Sequence, residues 1–450
     1  MVRVTDMTHG RPIRLILLFS LPLMLGSVFQ QLYTIVDTII IGRGVGMQAL
    51  ASIGAADWIN WLVLWGLQGF TQGFAILAAQ EFGAGAYDRL RRVLAMIVKL
   101  SCWFGIAVTI ISLLLVRPLL TLLHTDPAVF GGAQTYLYVQ FGGSLIIIAY
   151  NMAAAVLRCL GDSRTPLFAI IAASFANIAL DLLFVMGFGW GIFGASFATV
   201  LAQLIAFLLC LRSLRRLPFV QLTKADWKTD PAILLHLCRL GIPTGLQMSM
   251  ITLGGMVLQS VLNGFGVVFV AGYTAANKLY GILESASVAF GYAMTAYMGQ
   301  NRGARNAARI DAGIRAVLVL SAEFTAAIVT AMLLAGKPLL GLFLSTEEAG
   351  AADALAVAYQ YLMVLMAFLF ALFMLQAYRS SLQGLGEMTV PTLSGFAEML
   401  MRMGAALVLP IFIGQSGVFF AEGAAWVCAA ALNLVWYYMQ IGKIKRDMLQ

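Results

Sequence analysis

Between about residues 10 and 440, polar positions are sparse. Apolar runs of 20 or more residues follow one another, separated by short basic or glycine-containing breaks. About 20 apolar residues are enough for a helix to cross a hydrocarbon core of about 30 Å. In lipid the backbone must satisfy its own hydrogen bonds, which leaves helices or a closed barrel. Barrel strands alternate polar and apolar at every second residue, and these runs do not. The pattern predicts an all-α polytopic membrane protein with twelve transmembrane helices, at about 13–42, 52–82, 93–118, 130–158, 165–188, 191–212, 235–263, 268–300, 312–342, 354–384, 390–414 and 417–441. Spans longer than 25 residues must tilt or protrude. The first span lacks a small-residue cleavage site after a short apolar core, so it reads as uncleaved.

Composition agrees. The chain is 61% hydrophobic and 11% charged, against roughly 25% charged in soluble domains, with a mean hydropathy of +0.90. Placing the 28 Lys and Arg on this topology puts 22 on one side, among them Arg3, Arg89, Arg212, Arg302, Arg379 and Lys445, and 3 on the other (Arg43, Arg117 and Lys337). The basic side is therefore cytoplasmic and both termini lie inside a cell membrane. The net charge of +8 is a topology signal and a contact for anionic lipid, not a nucleic-acid surface. The segment 211–234, "LRSLRRLPFVQLTKADWKTDPA" at its core, is the only substantial polar stretch; it reads as a cytoplasmic linker between an N-lobe (1–210) and a C-lobe (235–450).

The two lobes are related. At an offset of 220, Ala51, Ala55 and Ala56 fall on Ala271, Ala275 and Ala276, Gln80 on Gln300 and Gly83 on Gly303. At 225, "LRCLGDSRTPLF" (157–168) matches "LQGLGEMTVPTL" (382–393), with Gly161, Asp162 and Pro166 on Gly386, Glu387 and Pro391. Six spans per lobe is an even number, so both lobes enter the membrane in the same direction and the pseudo-two-fold runs along the membrane normal. Parallel repeats of this kind suit a transporter.

Ionisable groups at membrane depth are candidates for function. Asp37 lies deep in span 1. Asp181 lies in span 5 with Asn177 one turn earlier on the same face, and Thr199 follows in span 6. Two carboxylates, an amide and a hydroxyl offer hard oxygen ligands to Na⁺. They can also trap a proton, because two neighbouring carboxylates in a low dielectric do not both ionise easily. Alternatively, Asp181 only hydrogen-bonds a neighbouring helix. At matching offsets the second half has Ala406 for Asp181 and Arg402 for Asn177, which suggests one cation site, in the N-lobe. Glu398 and Arg402, spaced i, i+4, form an intrahelical ion pair or line a substrate cavity, and Lys278 faces either the interface or that cavity. Gln30 and Tyr33 in span 1, Gln68 and Gln72 in span 2 and Gln247 in span 7 are candidate neutral cavity contacts. The five cysteines show no metal or disulfide spacing. There is no GxxxxGK[ST] motif, and His9, His124 and His236 belong to no catalytic constellation, so neither ATP-driven pumping nor an enzyme is expected.

Twelve spans in two parallel lobes, "FSLPLMLGSVFQQLYTIVDTIIIG" in span 1 and "LGDSRTP" entering span 5 together resemble the MATE family of multidrug and toxic-compound extrusion antiporters, over about residues 10–440. In the branch with an N-lobe cation site, an Asp in helix 1, an Asn and an Asp one turn apart in helix 5, and a Thr in helix 6 form that site; Asp37, Asn177, Asp181 and Thr199 match. Another branch carries acids in helices 7 and 10, which this chain lacks. The resemblance implies a multidrug efflux transporter that needs no cofactor and exports small, often cationic, organic compounds by antiport with Na⁺ or H⁺ through alternating access; a monomer is expected, because the central cavity is formed within one chain. The alternatives are a flippase for a lipid-linked oligosaccharide of the same superfamily, expected to line its cavity with Arg and Lys, and a non-transporting receptor or scaffold.

Overall fold

The computed structural model describes residues 4–343 and 350–449; Arg3, counted on the basic flank, lies outside them. Helices Pro12–Gly44 (α1), Met47–Gly83 (α2), Tyr87–Leu122 (α3), Pro127–Gly142 (α4), Ser144–Cys159 (α5), Arg164–Asp181 (α6), Gly191–Arg215 (α7), Pro231–Leu262 (α8), Val267–Gly303 (α9), Ala307–Gly341 (α10), Ala351–Gly384 (α11), Thr389–Ile413 (α12) and Phe420–Leu449 (α13) follow in order. No strand occurs among the described residues. Ten helices are long and apolar enough to cross a membrane, and the pair α4–α5, bent by 50°, makes an eleventh. The expected eighth span, α9, is 37 residues long. It carries Asn277, Lys278 and Glu284 and falls short of the apolarity of the others.

The helices gather into two compact units. One comprises Met1–Asp6 and Leu21–Gly245, the other Met7–Ser20 and Leu246–Gln450. Helices α1 and α8 therefore each contribute to both units. In the first unit α2 packs on α4 and α5, α5 on α7, and α6 on α7. In the second, α9 packs on α11, and α13 on α11 and α12.

The repeat builds the same device in each unit. Gly161 and Gly386 both take left-handed backbone, at φ +90° and +73°, where a side chain is disfavoured. The acid that follows caps the next helix. The Asp162 carboxylate accepts from the N–H of Arg164 and of Thr165, both at 3.0 Å, and from the Thr165 hydroxyl at 2.5 Å. Glu387 accepts from the N–H of Thr389 at 3.0 Å. These bonds satisfy donors that a helix start leaves open.

The bend between α4 and α5 falls at Gly142–Gly143. A Cβ on Gly143 would come within 2.5 Å of Val200 Cγ2, so the break brings backbone against α7. The linker is part of the first unit. Lys99 Nζ donates to the carbonyl of Trp227 at 2.5 Å and to Thr229 at 2.9 Å, and Thr223 and Asp226 cap the short turn Lys224–Trp227 reciprocally.

Candidate functional site

Within the first unit, α1, α5, α6 and α7 enclose a pocket lined by Gln30 and Tyr33 from α1, Tyr150 from α5, Ser174 and Asn177 from α6, and Thr199 and Gln203 from α7. Ile170, Ala173, Ala202 and Ala206 complete its apolar wall. Two of the four residues expected to hold a cation, Asn177 and Thr199, thus share a pocket with two of the expected cavity residues, Gln30 and Tyr33.

Asp181 is the last residue of α6. A π-helical turn follows, Leu182–Gly187, of a kind that recurs at functional sites. Then Gly189 and Gly191, at φ +67° and +57°, reverse the chain into α7. Asp181 is fully buried and Asn177 is 1% exposed. The Asp37 and Asp181 side chains approach closely enough to act on each other's ionisation, and Tyr33 lies within electrostatic reach of both.

The polar atoms here are short of partners. Both oxygens of Asp181, both side-chain polar atoms of Asn177, Asp37 Oδ1 and Gln203 Oε1 are buried without a hydrogen bond. Each such atom costs about 1–3 kcal/mol, so their concentration is a feature to be explained. Thr199 donates its hydroxyl proton to the carbonyl of Ala195 at 3.2 Å, which leaves its oxygen lone pairs available. No group of three or more His, Cys, Asp and Glu suited to a metal occurs among the described residues. Two carboxylates with neutral oxygens suit a monovalent cation or a proton.

Sequence reasoning misses two members of this neighbourhood, Gln203 and Tyr136, and sets a third aside, Asp57, as an acid of span 2 nearer the membrane edge. Gln203 stands one turn beyond Thr199, a spacing that could have revealed it. Asp57 on α2 lies within electrostatic reach of Asp37 on α1, and Tyr136 lies within reach of Asp57, Asp37 and Tyr33. Gln68 and Gln72 sit half-buried on α2 and do not line the pocket.

The other expected residues belong to the second unit. Gln247 is fully buried, and its side-chain oxygen accepts from Gln383 at 2.8 Å. Lys278 is exposed. Glu398 and Arg402 do pair, at 3.2 Å, but within a larger network. Glu398 also holds Arg379 at 2.5 Å, and Arg402 reaches Glu422 at 2.7 Å and the carbonyl of Ile251 at 3.0 Å. Arg379, counted on the basic flank, is only 4% exposed and stands five residues before the end of α11 at Gly384. Glu422 escaped attention although an acid inside an apolar run is itself a signal.

A family model described as MatE matches residues 22–183 and 243–408, one stretch in each half and each beginning at a proline. The chain is 30% identical over 447 residues to the probable multidrug resistance protein YpnP of Bacillus subtilis, covering 97% of both. It is 22% identical over 438 residues to the multidrug export protein MepA of Staphylococcus saprophyticus, covering 94% of this chain and 93% of that one. Its fold matches a solved MOP superfamily transporter from Pyrococcus furiosus, described as having a binding pocket of reverse polarity that suggests a different function. The TM-score is 0.91 at 24% identity, over 98% of this chain and 99% of that one.

Proposed function

Because the chain belongs to the MatE family, we propose that it is a multidrug efflux transporter that exports small organic, often cationic, compounds in exchange for inward Na⁺ or H⁺ by alternating access. It is a multi-pass membrane transporter and not an enzyme. The observation that carries the proposal is the close pair Asp37 and Asp181, with Asp37 Oδ1, both Asp181 oxygens and the Asn177 amide buried without a hydrogen-bond donor or acceptor. In this reading Asp37 and Asp181 supply the charge that holds the cation, and Asn177 and Thr199 supply neutral oxygens. Gln30, Tyr33 and Gln203 give the adjoining pocket its polar wall. Binding neutralises the carboxylates and removes the cost of burying them. Coupling then requires that cation and substrate favour different states, since a ligand with equal affinity for both shifts nothing.

The flippase alternative asks for cationic side chains able to meet a pyrophosphate. The two buried arginines of the second unit are engaged by Glu398 and Glu422, which favours export of organic cations over that reading.

The test is ethidium efflux from proteoliposomes under a Na⁺ gradient or a pH gradient imposed separately. One gradient is expected to drive efflux by the wild type and to fail with Asp181→Asn, which names the coupling ion. Full gradient-driven efflux by Asp181→Asn at equal protein levels would falsify the assignment.

A further inference from the structure

The repeat places Phe82 opposite Arg302 and Gly85 opposite Arg305, at the turn that closes the second helix of each half. In the first unit this turn is capped by aromatic rings: Phe82 and Tyr87 each lie 5.4 Å from Phe219 of the linker. Gly85 takes the left-handed backbone there, at φ +67°. In the second unit the same turn keeps the same backbone, but with an arginine: Arg305 stands at φ +54°, a conformation glycine adopts freely and a long side chain does not. The aromatic cap is gone as well. Arg302 and Arg305 instead line an open pocket of about 190 Å³ together with Ile444, Asp447 and Met448 of α13. Neither guanidinium makes a hydrogen bond or an ion pair within 4 Å among the described residues. Asp447 and Glu387 act on Arg302 only electrostatically, and Glu387 is already engaged as a helix cap.

We infer that this pocket binds a phosphate-bearing anion, and specifically the head group of an anionic phospholipid, with the two guanidiniums on the phosphate and Ile444 and Met448 against the glycerol and first methylenes. Three observations converge. An arginine occupies a backbone position that its repeat partner fills with glycine. Two arginines lack hydrogen-bonding partners, and forked donors of this kind suit phosphate. The apolar wall has no use for a free inorganic ion. The pocket lies on the flank that carries most of the Lys and Arg, where anionic lipid is attracted at about 1 kcal/mol per basic residue. That corresponds to about fivefold in affinity for each arginine.

The experiment is thermal unfolding of the purified full-length chain in detergent, titrated with phosphatidylglycerol, phosphatidylcholine or inorganic phosphate. Phosphatidylglycerol is expected to raise the Tm, and phosphatidylcholine is not. Arg302→Gln and Arg305→Gly are each expected to weaken the response about fivefold. Arg305→Gly should fold normally, because glycine is the residue its repeat partner uses. Asp447→Asn removes the opposing carboxylate and is expected to tighten binding, which a general loss of structure would not produce. Lys443→Gln, a basic residue on the same helix that does not line the pocket, should behave as wild type. If Lys443→Gln weakens the response as much as Arg305→Gly, or Asp447→Asn weakens it, general surface charge is responsible and the site is overturned. If inorganic phosphate reproduces the phosphatidylglycerol response through the same two arginines, the anion class stands and the lipid assignment is overturned.

Discussion

Asp181 and Glu398 are both buried carboxylates on the repeated helices α6 and α12, and they call for opposite outcomes when neutralised. Neither Asp181 oxygen meets a hydrogen-bond donor, and its charged neighbour is the like-charged Asp37. Replacing it with the isosteric amide removes an uncompensated buried group, so Asp181→Asn is expected to raise the Tm while abolishing coupled efflux, a trade that is common where activity depends on a strained site. Glu398 grips two buried arginines. Glu398→Gln leaves those charges short of a counter-ion and is expected to cost about 3–5 kcal/mol, read as a fall in Tm and in detergent-extracted yield. A common fall in both variants would mean that Asp181 is structural. At this scale the sequence was informative wherever partners are local: Asn177 and Asp181 stand out because four residues on a helix is one turn, and so do Glu398 and Arg402. Arg379 counts only as flanking charge in the sequence, because its partner lies 19 residues away, on another helix, and no local pattern reports that contact.

The glycine-then-acid motif begins α6 and α12 alike, but its two copies differ in depth. Asp162 is 2% exposed and accepts three bonds, whereas Glu387 accepts one exposed bond. Loss of a cap costs about 0.5–2 kcal/mol. Asp162→Ala is expected near the top of that range and Glu387→Ala near the bottom, measured as paired Tm shifts. The linker gives a pH-dependent counterpart. Burial pushes the Asp226 carboxyl up, but the N–H and hydroxyl of Thr223 together with Arg91 and Arg92 outweigh it and hold the group below its ordinary value. A depressed carboxyl contributes stability above its unfolded pKa, about 3.9, and loses it as pH falls through the folded value. The linker should therefore resist pepsin in mild acid and become cleavable below the ordinary carboxylate range, and Asp226→Ala should expose Lys224 and Lys228 to trypsin at neutral pH. A wild-type linker cut equally at every pH would contradict this. Helix positions were legible from apolar run length. The bend at Gly142–Gly143 and the π-helical turn after Asp181 were not, because run length carries no information about direction or local winding.

The two units share a frame and differ in what they bury. Where the second has Arg379 and Glu398, the repeat puts Ala154 and Ala173 in the first, and Ala173 is part of the pocket wall. Where the first has Asn177 and Asp181, the second has Arg402 and Ala406. The second unit thus fills the corresponding space with a network in which Glu398 and Glu422 meet Arg379 and Arg402, two charges of each sign. The first leaves carboxylates without counter-charge. In the proposed reading the cation neutralises the carboxylate pair of the first unit, so binding should saturate at one coupling ion per chain, with Glu284, within electrostatic reach of Glu422 in the second unit, contributing no second step. Under mass action a bound cation stabilises the folded state. The Tm of the purified protein should therefore rise with the coupling ion, Na⁺ or acid, along a single-site curve. That dependence should vanish in Asp37→Asn and persist, from a lower baseline, in Glu398→Gln. The double repeat made the shared frame readable from sequence, because glycines and helix-capping acids recur at constant offset. The assignment of one cation to one unit rests on which buried charges find partners, and that depends on contacts between helices that no spacing along the chain displays. A second saturable step, lost in Glu398→Gln, would show that the balanced network titrates too and would end the one-site account.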